Sequence, residues 1–160
     1  MLARQMTVEK GGKMRIALGC DHRGLKIKRE VMKFLEQSGY DCKDFGCHSA
    51  EPVDYPDFAR EVSDAVASGE FDQGILICSS GVGMSIAANK IAGVRAALCC
   101  DTFAAERARR HNDANILCLR GEKVKVADTL EIVKTYLSTP FEGGRHIPRL
   151  DKIKALEKRE

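Results

Sequence analysis

The stretch Ile75–Lys90 reads ILICSSGVGMSIAANK. An apolar run of strand character stops at Cys78, crosses a small-residue turn holding Gly81 and Gly83, and resumes as an amphipathic pattern. A short apolar run closed by glycine marks a buried strand, and the pattern beyond the turn has helical spacing. Strand, glycine turn and helix in that order form one unit of an α/β fold. The cysteine at the hinge is open to three readings: a nucleophile, a base for proton transfer, or a small core residue.

The same unit recurs on either side. RIALGC (15–20) is a buried strand, GCDHRG turns the chain, and Ile27, Val31, Phe34 and Leu35 fall on one helix face that Gly39 ends. YDCKDFG is a weaker second strand. The polar stretch 46–56 is a loop closed by DYPD, and Phe58, Val62, Ala65 and Val66 give a second helix face. GILIC is the third strand, followed by a short helix from about Met84. VRAALCC is the fourth, and DTFAAERARRHN is a helix with an Asp or Thr cap. NILCL is the fifth strand. Leu130, Val133 and Leu137 share a face of the next helix, which Pro140 ends. FEGGRHIP is then a loop, and 149–159 is a charged last helix expected to dock on a partner subunit.

Strands alternating with helices predict a Rossmann-like, doubly wound, mostly five-stranded parallel sheet with helices on both faces. The domain is expected over 14–160, with 1–13 as an extension and Met14 as an alternative start. Such sheets bind ligands beyond the carboxyl ends of their strands. Four places are selected: Cys20-Asp21-His22, Cys78–Ser85, Asp101-Thr102, and the residues after Leu119.

Composition narrows the function. A chain of 160 residues, 44% apolar and 31% charged, fits one domain with one sizeable core. No apolar run reaches the roughly 18 residues of a membrane span, and the N-terminus lacks a secretory apolar segment. A net charge of +3 is too small to argue for nucleic acid. Seven cysteines without a signal segment indicate a reduced, cytoplasmic protein. With no CxxC pair and no HExxH spacing, neither a metal nor another cofactor is expected.

The loop itself excludes several chemistries. A Walker loop needs GxxxxGK[ST], and no lysine follows here. A dinucleotide loop needs a third glycine where GVGMSI has Ile86. A cysteine phosphatase needs an arginine six residues after the cysteine, where Met84 stands. Acid–base work remains: a thiolate could take a proton beside a carbonyl, with loop N–H groups stabilising the enediolate oxygen.

Five motifs in order, GCDHRG, DYPDFA, GILICSSGVGMSIAANK, RHNDANIL and FEGGRHIPR, resemble the type B ribose-5-phosphate isomerases. That family also contains the galactose-6-phosphate isomerase subunits. The resemblance runs from about Met14 to the C-terminus. It implies reversible, metal-independent interconversion of ribose 5-phosphate and ribulose 5-phosphate. By the same resemblance Cys78 is the base, with Ser80 beside it, and the backbone of Ser79, Gly81, Val82 and Gly83 binds the enediolate. His111 is the acid that opens the furanose ring, with Asn112 beside it. Asp21 and His22 bind substrate, Tyr55 lines the pocket, and Arg145 and Arg149 hold the phosphate. The resemblance also implies a homodimer, or a tetramer built from it, with sites at the interface. Many relatives carry an arginine where this chain has Glu122, between Arg120 and Lys123. The alternatives are an isomerase of a six-carbon phosphate, such as allose 6-phosphate or galactose 6-phosphate, and a non-catalytic sugar-phosphate binding module.

Overall fold

The computed structural model describes residues 12–158, so residues 1–11 of the expected extension lie outside the described residues. Five strands form one parallel sheet: β1 (Arg15–Cys20), β2 (Asp41–Asp44), β3 (Gln73–Cys78), β4 (Ala96–Leu98) and β5 (Ile116–Arg120). Their order is β2-β1-β3-β5-β4. Six α-helices connect and follow them: α1 (Leu25–Gln37), α2 (Tyr55–Ala67), α3 (Val82–Ala88), α4 (Thr102–Arg110), α5 (Val126–Ser138) and α6 (Ile147–Ala155). A single 3₁₀ turn, Gly144–His146, leads into α6.

The strand period of two sorts side chains onto opposite faces. Ile16, Leu18, Ile75, Ile77, Leu117 and Leu119 join Val31 and Leu35 of α1 and Val133 and Tyr136 of α5 in one buried cluster. Ala17, Leu76, Cys78, Ile116 and Cys118 join Val62 and Val66 of α2 and Met84 of α3 in the other. The apolar runs of β1, β3 and β5 are buried on both sides, as a sheet covered on both faces requires.

Several boundaries differ from those expected. α2 starts at Tyr55, inside the expected loop, because a proline is tolerated in a first helical turn, where its missing N–H costs nothing. α3 starts at Val82 instead of Met84, directly after Gly81 in the left-handed region. β4 is three residues long, cut short at the sheet edge. The last helix begins at Ile147, again with proline in its first turn, and ends at Ala155; residue 159 lies outside the described residues. No residue of α6 is buried by its own chain, and Ile147, Ile153 and Leu156 are exposed.

Candidate functional site

The site forms where β3 ends. α1 and α5, which follow β1 and β5, cover one face of the sheet, whereas α3, which follows β3, covers the other. The chain therefore diverges at the carboxyl end of β3 and leaves a crevice there. Cys78 is the last residue of β3, level with Arg120 of β5. It is 5% exposed, and its Sγ accepts the Gly81 N–H at 3.2 Å. Gly81 has φ +78°, and a Cβ there would lie 2.6 Å from Leu98 Cδ1 and 2.9 Å from the Leu119 carbonyl oxygen. Only glycine permits both that conformation and that closeness.

The neighbouring groups converge from three loops. Ser80 Oγ accepts the Val82 N–H at 3.2 Å. Two of the N–H groups expected to meet an enediolate, those of Gly81 and Val82, are thus engaged inside the loop. Asp21 is buried, and its Oδ1 accepts the N–H groups of Arg23 and Gly24, both at 3.0 Å. It is therefore a turn residue as well as a candidate ligand. His22 accepts the Val53 N–H on Nδ1 at 3.2 Å, so in the neutral ring the proton sits on Nε2. The Tyr55 ring packs against Gly83 of the loop: a Cβ there would come within 2.6 Å of its Cζ. Asp21, His22, Tyr55 and residues 78–83 form one neighbourhood.

Four of the other cysteines do not compete as bases. Burial pushes the Cys20 and Cys99 thiols up to about 12, raises Cys42 to about 11, and drives Cys118 higher still. These groups stay protonated thiols at neutral pH.

A second cluster gathers at the other end of the sheet. α4 runs back from the carboxyl end of β4 to the amino end of β5, and His111 caps its C-terminus. Ile116, which begins β5, pairs with Gly74, four residues before Cys78. Those four steps span about 13 Å along the strands, and His111 lies beyond them. The His111 Nε2 is 3.1 Å from Arg107 Nη1, and its ring stacks on His146 with centroids 4.2 Å apart and planes at 15°. Burial first, then His146, Arg107 and Arg145, hold His111 below the usual histidine range, against the opposing pull of Glu142. Asn112 is exposed beside it, and its carbonyl accepts from Arg95 at 3.1 Å. Arg145 and Arg149 are both exposed in the segment carrying His146. The expected site residues thus fall into two groups at opposite ends of one sheet.

His111, Glu142 and His146 also offer ligand atoms within 4.8 Å of one another. Two features speak against a metal there. Parallel stacked rings aim their in-plane lone pairs side by side instead of at one point. Arg107 at 3.1 Å from His111, Arg110 at 2.7 Å from Glu142, and Arg145 make the surroundings cationic. Such a field favours an anion.

Two features escaped the sequence. Glu122 accepts a hydrogen bond from the Ser79 hydroxyl and lies 3.1 Å from Arg23. The Ser79 hydroxyl and then Arg23 hold its carboxyl below the usual range, against desolvation. The cation beside the loop therefore comes from the turn after β1, a neighbour that spacing within one loop cannot reveal. His146, read as part of a loop, is 3% exposed; its partner ring lies 35 positions away (146 minus 111) and leaves no local periodicity.

The chain matches a family model described as ribose/galactose isomerase over residues 16–153. It is 46% identical over 145 residues to the ribose-5-phosphate isomerase B of Escherichia coli, covering 91% of this chain and 97% of that protein. The solved ribose-5-phosphate isomerase B of Clostridium thermocellum is similar at a TM-score of 0.89 and 51% identity, covering 91% of this chain and 98% of that one. The Mycoplasma genitalium enzyme of the same name, solved with bound ribulose-5-phosphate, is similar at a TM-score of 0.88 and 41% identity, with coverages of 92% and 98%.

Proposed function

The chain belongs to the ribose/galactose isomerase family, and from that premise we propose the route by which it interconverts ribose 5-phosphate and ribulose 5-phosphate. The observation that carries the route is Cys78 itself: a thiol at the crevice of β3 whose Sγ already receives a backbone N–H. In the open-chain aldose, the Cys78 thiolate takes the proton from C2. The electron pair runs onto the carbonyl oxygen at C1 and forms an enediolate. Backbone N–H groups of the 79–83 loop stabilise the developing charge. The proton of the C2 hydroxyl passes to the oxygen at C1, the thiol returns its proton to C1, and the carbonyl is left at C2. Ser80 sits beside the base, while Asp21, His22 and Tyr55 hold the sugar.

Ring opening comes first for ribose 5-phosphate. There the proton on O1 must reach the ring oxygen as the ring C–O bond breaks. His111, held neutral, accepts the O1 proton and delivers it to that oxygen, with Asn112 orienting the sugar. Because His111 lies at the far end of its own sheet, this role needs the Cys78 crevice of a second subunit. A hollow of about 690 Å³ between α6 and the β4 edge, lined in part by Leu98, Arg107, Ile153 and Leu156, leaves apolar surface for that subunit to cover. Arg145 and Arg149 travel with His111 and clamp the phosphate at the partner's site. The protein works as a homodimer, or a tetramer built from it, without a metal. Its seven free cysteines suit a reducing cytoplasm, and no helix of the described residues is long and apolar enough to cross a membrane.

Initial rates with ribose 5-phosphate, allose 6-phosphate and galactose 6-phosphate test the substrate. The expected result is the highest kcat/KM for ribose 5-phosphate; a higher value for either six-carbon sugar assigns the site to hexoses instead.

The phosphate clamp has its own test. Guanidinium forks match phosphate oxygens, and a charge-assisted hydrogen bond contributes enough to change kcat/KM about 10–100-fold. Arg149→Ala is expected to weaken turnover of ribose 5-phosphate by that amount and to leave the slow turnover of free ribose alone. An equal proportional loss on both sugars means Arg149 does not read the phosphate.

A further inference from the structure

The ring-opening group has a neighbour to which the route above gives no task. His146 is 3% exposed although it belongs to a segment of exposed, charged residues. Its Nε2 is shielded from solvent and makes no hydrogen bond among the described residues. The closest carboxylate oxygen, Oε1 of Glu142, stands 3.7 Å away, beyond hydrogen-bonding distance. Burying such a nitrogen without a partner costs stability, so its burial calls for a compensating contact. The contact present is the His111 ring, stacked face to face at 4.2 Å.

We propose that His146 is a positioning residue for ring opening: its buried ring fixes the plane of the His111 imidazole, so that a His111 nitrogen reaches O1 and the ring oxygen in turn. The inference rests on the assignment of His111 to that step. A flat ring clamped on one side leaves the imidazole little freedom to tilt. Proton transfer between two oxygens of one sugar demands that restriction, because geometry sets the rate of such a step. The 3₁₀ turn Gly144–His146 holds the supporting ring in place. Its sequence neighbour Arg145 extends into solvent, where a phosphate would sit.

The surroundings agree with this task. The groups facing His111 are Arg107 from its own helix, and Glu142, Arg145 and His146 from the segment after α5. Glu142 is itself taken up by Arg110 at 2.7 Å. Three of the four facing groups are cationic or can become so, and burial adds to their effect. His111 is thereby kept in the neutral form that can accept the O1 proton. All four groups belong to the same chain as His111.

The test separates ring opening from enolisation. Ribulose 5-phosphate cannot close a furanose ring, because its C5 oxygen carries the phosphate. Exchange of its C1 proton with deuterated water therefore reports the Cys78 step alone, whereas turnover of ribose 5-phosphate needs both steps. His146→Leu fills the buried space without a flat ring, and His146→Phe restores the ring without nitrogens. With Leu, ribose 5-phosphate turnover is expected to fall about 10–100-fold, the scale of a misplaced catalytic group, while C1 exchange keeps its wild-type rate. With Phe, most of the lost turnover returns. Equal losses in the two assays, equal losses from Leu and Phe, or full turnover with Leu overturn the proposal. His111→Ala runs alongside: if it spares ribose 5-phosphate turnover, the ring-opening assignment itself has failed, which is a different result from a failure of His146.

Discussion

Cys78→Ala is expected to abolish isomerisation in both directions, and C1 exchange of ribulose 5-phosphate with it. A general base contributes about 10²–10⁴-fold. Cys118, Cys99 and Cys20 are buried and held protonated, with the latter two pushed up to about 12. The variant is expected to fold. Cys78 packs in the cluster of Leu76, Met84 and Cys118, and losing one sulfur from a well-filled core costs on the order of 1 kcal/mol. Cys78→Ser sharpens the result: it keeps the size and the Gly81 contact but replaces the thiol by a hydroxyl that does not ionise at neutral pH. Both variants should retain a thermal transition and bind the sugar phosphate. If either turns over ribose 5-phosphate at a near wild-type rate, the base lies elsewhere and Cys78 is a core residue.

What the sequence discloses about this molecule follows the range of the interactions involved. The strands of β1, β3 and β5 are continuous apolar runs because the sheet is covered on both faces, so RIALGC, GILIC and NILCL can be read directly. The same burial places Cys78 at the end of a central strand and Gly81 at the one position that needs φ +78°. Ends of elements are harder, because they answer to packing as much as to spacing. β4 is trimmed to three residues at the sheet edge, and α6 starts at Ile147, one residue before a proline, inside what reads as a loop. The pairing of Arg23 with Glu122 and the stacking of His146 on His111 lie beyond local reading altogether. Each joins segments that the fold alone brings together, 99 and 35 positions apart respectively. The division of the expected site residues into two distant groups follows from the all-parallel order: Cys78 follows a strand and lies at the carboxyl end, whereas His111 precedes β5 and lies at the amino end.

That division sets up the second large effect, a recovery of activity from two dead proteins. Cys78 ends β3, and His111 lies beyond the opposite end of the sheet, so within one chain they cannot act on one sugar. If each site of a two-fold dimer takes Cys78 from one subunit and His111 from the other, Cys78→Ala and His111→Ala are each inactive toward ribose 5-phosphate. Unfolded together and refolded, they form mixed dimers. One site of a mixed dimer then carries both lesions, and the other carries none. Random pairing makes about half the dimers mixed, so about a quarter of all sites recover. The complementary experiment pairs wild type with the double variant: there every site of a mixed dimer lacks one group, and activity falls to about a quarter, below the half that independent subunits would keep. Differently tagged chains and a two-step affinity separation establish that mixed dimers are present. Verified mixed dimers without recovered turnover would place the reacting pair within one subunit. The His111 role would then have to pass to a group at the carboxyl end of β3, where His22 already stands with its Nε2 proton free of the Val53 contact.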